Sequence, residues 1–153
     1  MNYLLAAALG GLIAFFCSLP AIFAEIIERG HITNLPLLVD VKTVFQRKLE
    51  AREVFWAALL LEIILGIGFG SSYAWFTTHD WLFITHAPYS FFSLLLFAMG
   101  AFMVTGACLF PLLGLGFFGR KEGRLVWLEL LSSFILIGSA LWLVMKYYQP
   151  FYF

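Results

Sequence analysis

The chain has 153 residues, of which 63% are apolar and only 12% charged, with a mean hydropathy of +0.95, values that exclude a water-soluble domain. Formal net charge is zero, so the charge balance calls for no nucleic-acid partner. Four apolar stretches use up about two thirds of the chain, which leaves no room for a separate soluble catalytic domain.

The first stretch, residues 3 to 28, is long enough to cross a bilayer core as a helix. Its first residues, Met1-Asn2-Tyr3, carry no basic side chain, and the positive charge follows the apolar run, so it reads as a retained span and not a cleaved leader. Ala7, Gly11, Ala14, Ser18, Ala21, Glu25 and Glu28 recur at alternating spacings of four and three, a seam of small residues ending in two carboxylates. Pro20 predicts a bend, and Gly30 after Arg29 a stop. The connection at 29 to 52 holds Arg29, Lys42, Arg47, Lys48 and Arg52. Within it Leu37, Leu38, Val41, Val44, Phe45 and Leu49 recur at helical spacing, which predicts an interfacial amphipathic helix over 36 to 50. A segment folded back onto the bundle fits the same apolar face.

The second span, 53 to 78, places Ala58, Glu62, Gly66 and Gly70 four apart on one stripe. A short connection, 77 to 88, follows and is expected on the external side; Trp75, Trp81, Phe83 and Tyr89 in and around it suit the headgroup level of a bilayer, and Pro88 is placed to start the next helix. The third span, 89 to 113, offers Ala98, Ala101, Thr105 and Cys108 as its small or polar face. A Gly-rich turn at 114 to 124 with Arg120, Lys121 and Arg124 leads into the fourth span, 125 to 148, which carries Glu129, Ser132 and Ser139. The glycines serve turn geometry, because the spacing of a phosphate-cradling loop is absent.

The fold expected is therefore a single all-α integral membrane domain over residues 1 to 153, a bundle of four transmembrane helices with an amphipathic helix between the first and second. Cys17-x-x-Pro20 and Cys108-x-x-Pro111 recur in the first and third spans, and Val54-Phe55-Trp56 and Leu125-Val126-Trp127 open the second and fourth. These pairs suggest a tandem repeat of one helical hairpin, with chance similarity between apolar stretches as the other explanation. Eight of the nine cationic residues lie in the first and third connections and only Lys146 elsewhere. The expected topology is a multi-pass protein of the plasma (inner) membrane, both termini outside and the loops at 29 to 52 and 114 to 124 cytoplasmic.

Glu62 is the residue singled out as a proton- or ion-binding candidate. It lies about 13 Å into its span, and a charge near mid-membrane costs at least ~2.5 kcal/mol, so it should face the bundle and be protonated or paired. The bland alternative is a helix-gluing hydrogen bond to a backbone carbonyl or to Ser132 or Ser133. Glu25, Glu28, Glu129 and Ser132 form a shallower polar seam explained by interfacial ion pairs such as Glu25 with Arg29. Gly11, Ala14, Ser18, Gly66 and Gly70 are expected to pack helices. Glu25, Glu28 and His31 have the threes of a carboxylate-histidine metal site, but Gly30 interrupts the helix and a second Glu-x-x-His is missing. His79 and His86 sit too shallow to be paired haem ligands, and Cys17 and Cys108, lacking any CxxC, read as small buried side chains. No cofactor and no metal are expected, and no catalytic motif is present in the sequence.

Two functions follow: a non-catalytic structural, assembly or accessory bundle that packs with itself or a larger membrane complex, or a proton- or ion-coupled transporter of a small solute using Glu62. The bilayer is the one partner expected in either case. The topology predicts that a reporter fused after Phe153 is active only outside the cytoplasm; activity on the cytoplasmic side would overturn it.

Overall fold

The computed structural model describes residues 2–28, 39, 42–44, 47–81 and 90–152. Among these, four helical spans are long and apolar enough to cross a membrane: Tyr3–Ala24, Glu53–Thr78, Phe91–Leu112 and Val126–Tyr147. Apolar side chains occupy both the interior and the outside of the bundle, where Leu4, Phe16, Trp56, Leu60, Phe92 and Val104 are exposed. A helix that is hydrophobic all round suits a lipid surrounding and not water.

The first span is two helices, α1 (Tyr3–Cys17) and α2 (Leu19–Glu28), with a break at Ser18. The Asn2 side chain caps α1 by accepting from the Leu4 amide at 3.1 Å. Pro20 has no N–H to give to the preceding turn, so the ladder is interrupted there. Ser18 bridges the break: its amide donates to the Ala14 carbonyl at 3.0 Å, its hydroxyl donates to the same oxygen at 2.8 Å, and its own carbonyl accepts from Ile22 at 3.1 Å.

The first connection carries no helix among its described residues, where the sequence pattern predicts an amphipathic one over 36 to 50. Two short strands, β1 (Thr43–Val44) and β2 (Arg47–Lys48), pair antiparallel, and the Leu49 amide closes the turn on the Lys42 carbonyl at 2.9 Å. The physical reason lies in what an apolar side chain reaches: Val39 is 1% exposed and belongs to the main core, so the chain at that point is packed on the bundle. The rest of the predicted helix lies outside the described residues.

The second span is one helix, α3 (Ala51–Thr78), started by a capping box in which the Glu50 amide donates to Glu53 Oε2 at 3.0 Å. Arg47 pairs with the same Glu53 at 3.2 Å. The far end of α3 gathers an aromatic cluster in which Trp75 and Trp81 stack edge to face at 4.6 Å, and the Tyr3 hydroxyl hydrogen-bonds Thr78 at 2.6 Å. The Phe83 and Tyr89 expected beside them lie outside the described residues.

The third span begins as α4 (Phe91–Val104), capped by Ser90, which accepts from the Ser93 amide at 3.1 Å. It widens into a π-helical turn at Thr105–Leu109 and ends as α5 (Phe110–Leu112). Pro111 lacks a donor and its ring crowds the carbonyl four residues back, and the wider turn relieves both constraints. A turn follows with positive φ at Gly114, Gly116, Phe118 and Gly119. The fourth span belongs to α6 (Val126–Tyr152).

The hairpin partners pack closely: α1 lies against α3, and α4 against α6. Between hairpins α1 also contacts α6, whereas the backbones of α3 and α4 stand further apart and the two helices meet through Phe97 against Phe69, Tyr73 and Phe76. The order around the bundle is α3, α1, α6, α4, with the α3 and α4 side left open. Phe69 of α3 reaches across the interior to Phe97 at 5.1 Å and Phe134 at 5.9 Å.

The α1 and α3 contact is made backbone to backbone. A Cβ on Gly10 would collide with the Gly66 carbonyl oxygen, and one on Gly70 with that of Ala6; a Cβ on Gly66 would stand 2.5 Å from the Gly10 oxygen. Gly68, on the opposite face of the same helix, meets nothing within 4 Å. The expected outcome is that Gly70→Ala lowers the stability of the purified protein by about 1–3 kcal/mol through forced helix separation, while Gly68→Ala is neutral or stabilising by about 0.5–1 kcal/mol through helix propensity. Unfolding of both variants in mixed detergent checks it.

Candidate functional site: the Glu62 tie and its surroundings

Glu62 stands on the stripe of α3 that also holds Ala58, Gly66 and Gly70, all of them buried. Because the glycine contact draws α1 close, the carboxyl is enclosed and Glu62 is 1% exposed. Its partner among the described residues comes from the diagonal helix: the Ser133 hydroxyl of α6 donates to Oε1. Oε2 has no hydrogen-bond partner among the described residues. Cys17 is half-buried with a free thiol. In a low-dielectric interior the serine bond is strengthened and the second oxygen is left costly, which makes the tie a specific link between α3 and α6.

The sequence named both Ser132 and Ser133 as partners for Glu62, and the structure separates them. Ser132 turns its hydroxyl back to the Glu129 carbonyl of its own helix at 2.9 Å and is half-buried, while Ser133 points inward. Glu129 is half-buried near the start of α6. Glu25 and Glu28 fall on α2, and their side chains lie outside what the structure describes, as do His31 and His86. Ala14, Ser18, Gly66 and Gly70 line the α1 and α3 contact or its continuation, and Gly11 is buried beside the Ile67 side chain. Gly10, which sequence reading passed over, is the α1 residue in closest approach; its signal is the Ala6, Gly10, Ala14 spacing of four, one register from the Ala7 and Gly11 seam. Cys108, expected to be buried, is exposed on the outer face of the π-helical turn.

Two cavities lie among the described residues. One, of about 560 Å³, is the groove between α3 and α4, with Gly68 and Ser72 on one wall, Gly100 and Thr105 on the other, and Phe69 and Phe134 at its floor. Neither Gly68 nor Gly100 meets any atom within 4 Å of where a side chain would begin. The second cavity, of about 510 Å³, lies at the end of the bundle where α4 and α6 meet the Gly-rich turn, between Phe102, Phe118, Arg120, Gly123, Arg124 and Trp127. Glu62 is in the wall of neither. Among the described residues no three His, Cys, Asp or Glu side chains converge on one point. Comparison with protein-family models, curated proteins and solved structures returns no match.

Removing the serine donor leaves both carboxyl oxygens without a partner among the described residues. Ser133→Ala should therefore cost about 1–3 kcal/mol of stability. Glu62→Gln should cost less, because the amide oxygen can still accept from Ser133. Denaturation of the two variants and of their double mutant measures the coupling, and additive effects would show that the tie carries no energy.

Proposed function

We propose that the protein is a non-catalytic assembly or accessory bundle of a membrane, which seats one transmembrane helix of a second copy or of a larger complex in the groove between α3 and α4. The observation that carries this reading is the groove itself: Gly68 of α3 and Gly100 of α4, neither with any atom within 4 Å of where a side chain would begin, both line about 560 Å³ of mainly apolar space. Without a hydrophobic drive between helices in lipid, association depends on close packing, and small residues such as Gly68 and Ser72, spaced by four, provide it. A finished bundle would have closed α3 on α4 as it closes α1 on α3.

The burial of Glu62 bears on the transport alternative. A solute path needs a wet cavity that reaches the carboxyl, and among the described residues neither of these two cavities has Glu62 in its wall. The reading therefore gives Glu62 a structural role, holding α3 to α6 while the outer face of α3 is kept for a partner. The orientation that accompanies it has both termini outside the plasma membrane, with the loops at 29 to 52 and 114 to 124 cytoplasmic.

Affinity purification of the full-length chain from its native membrane in a mild detergent, followed by native mass measurement, is the test. A stoichiometric dimer or hetero-complex is expected, and Gly68→Phe with Gly100→Phe should disrupt it while leaving the monomer helical. Recovery of the wild type as a monomer alone, or of a complex indifferent to the two phenylalanines, would contradict the proposal.

A further inference from the structure

The turn between α5 and α6 is built with unusual rigidity for an exposed loop. Within it Phe118 adopts φ 52 and ψ 32, a left-handed conformation that non-glycine residues seldom accept. What holds it is its ring, which lies so close on Gly106 of the π-helical turn that a Cβ there would collide with it, and which also packs on Phe102 at 5.1 Å. Backbone bonds from Leu115 to the Phe110 carbonyl at 3.0 Å and from Lys121 to the Leu115 carbonyl at 3.2 Å fasten the turn at both ends. A Cβ on Gly119 would collide with Val126, so the turn is pressed against the start of α6 as well. The π-helical turn and the strained phenylalanine thus form one device, which folds the loop back under the bundle end.

That device opens a cavity of about 510 Å³ with two kinds of wall. Its inner wall is Phe102 and Phe118; its mouth is Arg120 and Arg124, with Trp127 at the side. Roughly 15 Å of helix separates Phe102 from Leu112, where the third span ends, so the cavity runs from the edge of the spans into their apolar zone. Both arginines are exposed, and among the described residues neither forms an ion pair. The acid closest to them in sequence, Glu122, is turned elsewhere: its Oε2 accepts from the Lys42 amide at 2.6 Å. Two guanidinium forks without carboxylate partners among the described residues, a tryptophan at the span boundary and an aromatic slot behind them match an amphiphile with an anionic oxygen-rich head.

We infer that this cavity is a binding site for an anionic membrane phospholipid, Arg120 and Arg124 holding its phosphate and Phe102 and Phe118 receiving the start of its acyl chains. A phosphate ester is the chemistry the arginines read, and the apolar slot assigns its source to a lipid, because a free phosphate would leave that slot empty. The site is independent of the partner groove, which lies along α3 and α4 and shares none of these residues.

Native mass spectrometry of the full-length protein in mild detergent, with phosphatidylglycerol and phosphatidylcholine of matched chains, tests the assignment. The wild type is expected to retain phosphatidylglycerol in preference to phosphatidylcholine. R120Q with R124Q should lower phosphatidylglycerol retention about tenfold or more at low salt, with phosphatidylcholine retention unchanged, and K146Q should have no effect. Undiminished phosphatidylglycerol in the double arginine variant, equal retention of the two lipids by the wild type, or release of the bound lipid by inorganic phosphate alone would overturn it.

Discussion

The contact on which the rest of the bundle depends is the approach of α1 to α3, where Gly10, Gly66 and Gly70 let two backbones meet without side chains between them. In lipid there is no hydrophobic gain from pressing one apolar helix on another, so van der Waals contact of this closeness supplies the association. Its consequence reaches the polar centre. With α1 drawn in, Glu62 is enclosed one turn from Gly66, and the hydroxyl of Ser133 on the diagonal helix becomes its partner. The carboxyl then ties the two hairpins together across the interior, beside the Phe69 and Phe134 contact. Where glycines are paired the backbones close; where Gly68 and Gly100 meet no neighbour, α3 and α4 are held by larger side chains such as Phe69 and Phe97 and leave a groove.

The two prolines impose a second constraint, and the chain meets it differently in each hairpin. At Pro20 the helix breaks and Ser18 uses both its amide and its hydroxyl on the Ala14 carbonyl. At Pro111 the helix widens, the Phe110 amide reaching back to the Thr105 carbonyl, and the space is used by the Phe118 ring over Gly106. The same Cys-x-x-Pro spacing therefore produces a bend in the first hairpin and a loop-binding platform in the second. The difference follows from the connections: a long segment that sends Val39 into the core follows the first, and a tight glycine turn follows the second.

Much of this was legible in the residues alone. Hydropathy located the four spans to within a few residues, and the stripe of Ala58, Glu62, Gly66 and Gly70 identified the inward face of α3. The matching face of α1 was ambiguous, because small residues occupy Ala6, Ala7, Gly10 and Gly11, so two adjacent stripes both satisfy spacing rules and only the partner helix selects Gly10. Ser132 and Ser133 differ by about 100° around their helix, a distinction that composition cannot make. The connection after α2 defeated periodicity for another reason: the apolar face that would lie on a membrane serves equally to bury Val39 in the bundle, and β-branched Thr43 and Val44 accept an extended pairing. The groove was invisible to sequence reading, because it depends on how far apart the backbones of α3 and α4 stand, with Phe97 bridging to Phe69 and Phe76.

If helix packing seals Glu62 and the carboxyl serves as a tie, reagents cannot reach it, and its accessibility is the measurement to make. Intact protein in native membranes would be treated with a lipid-soluble carbodiimide, which modifies accessible protonated carboxyls, and digested for mass analysis of the peptide that contains Glu62. The account predicts that Glu62 stays unmodified in the wild type and becomes reactive in Gly70→Ala, where α1 is forced away from α3. Ready modification of Glu62 in the wild type would contradict it and would make the carboxyl part of an open path.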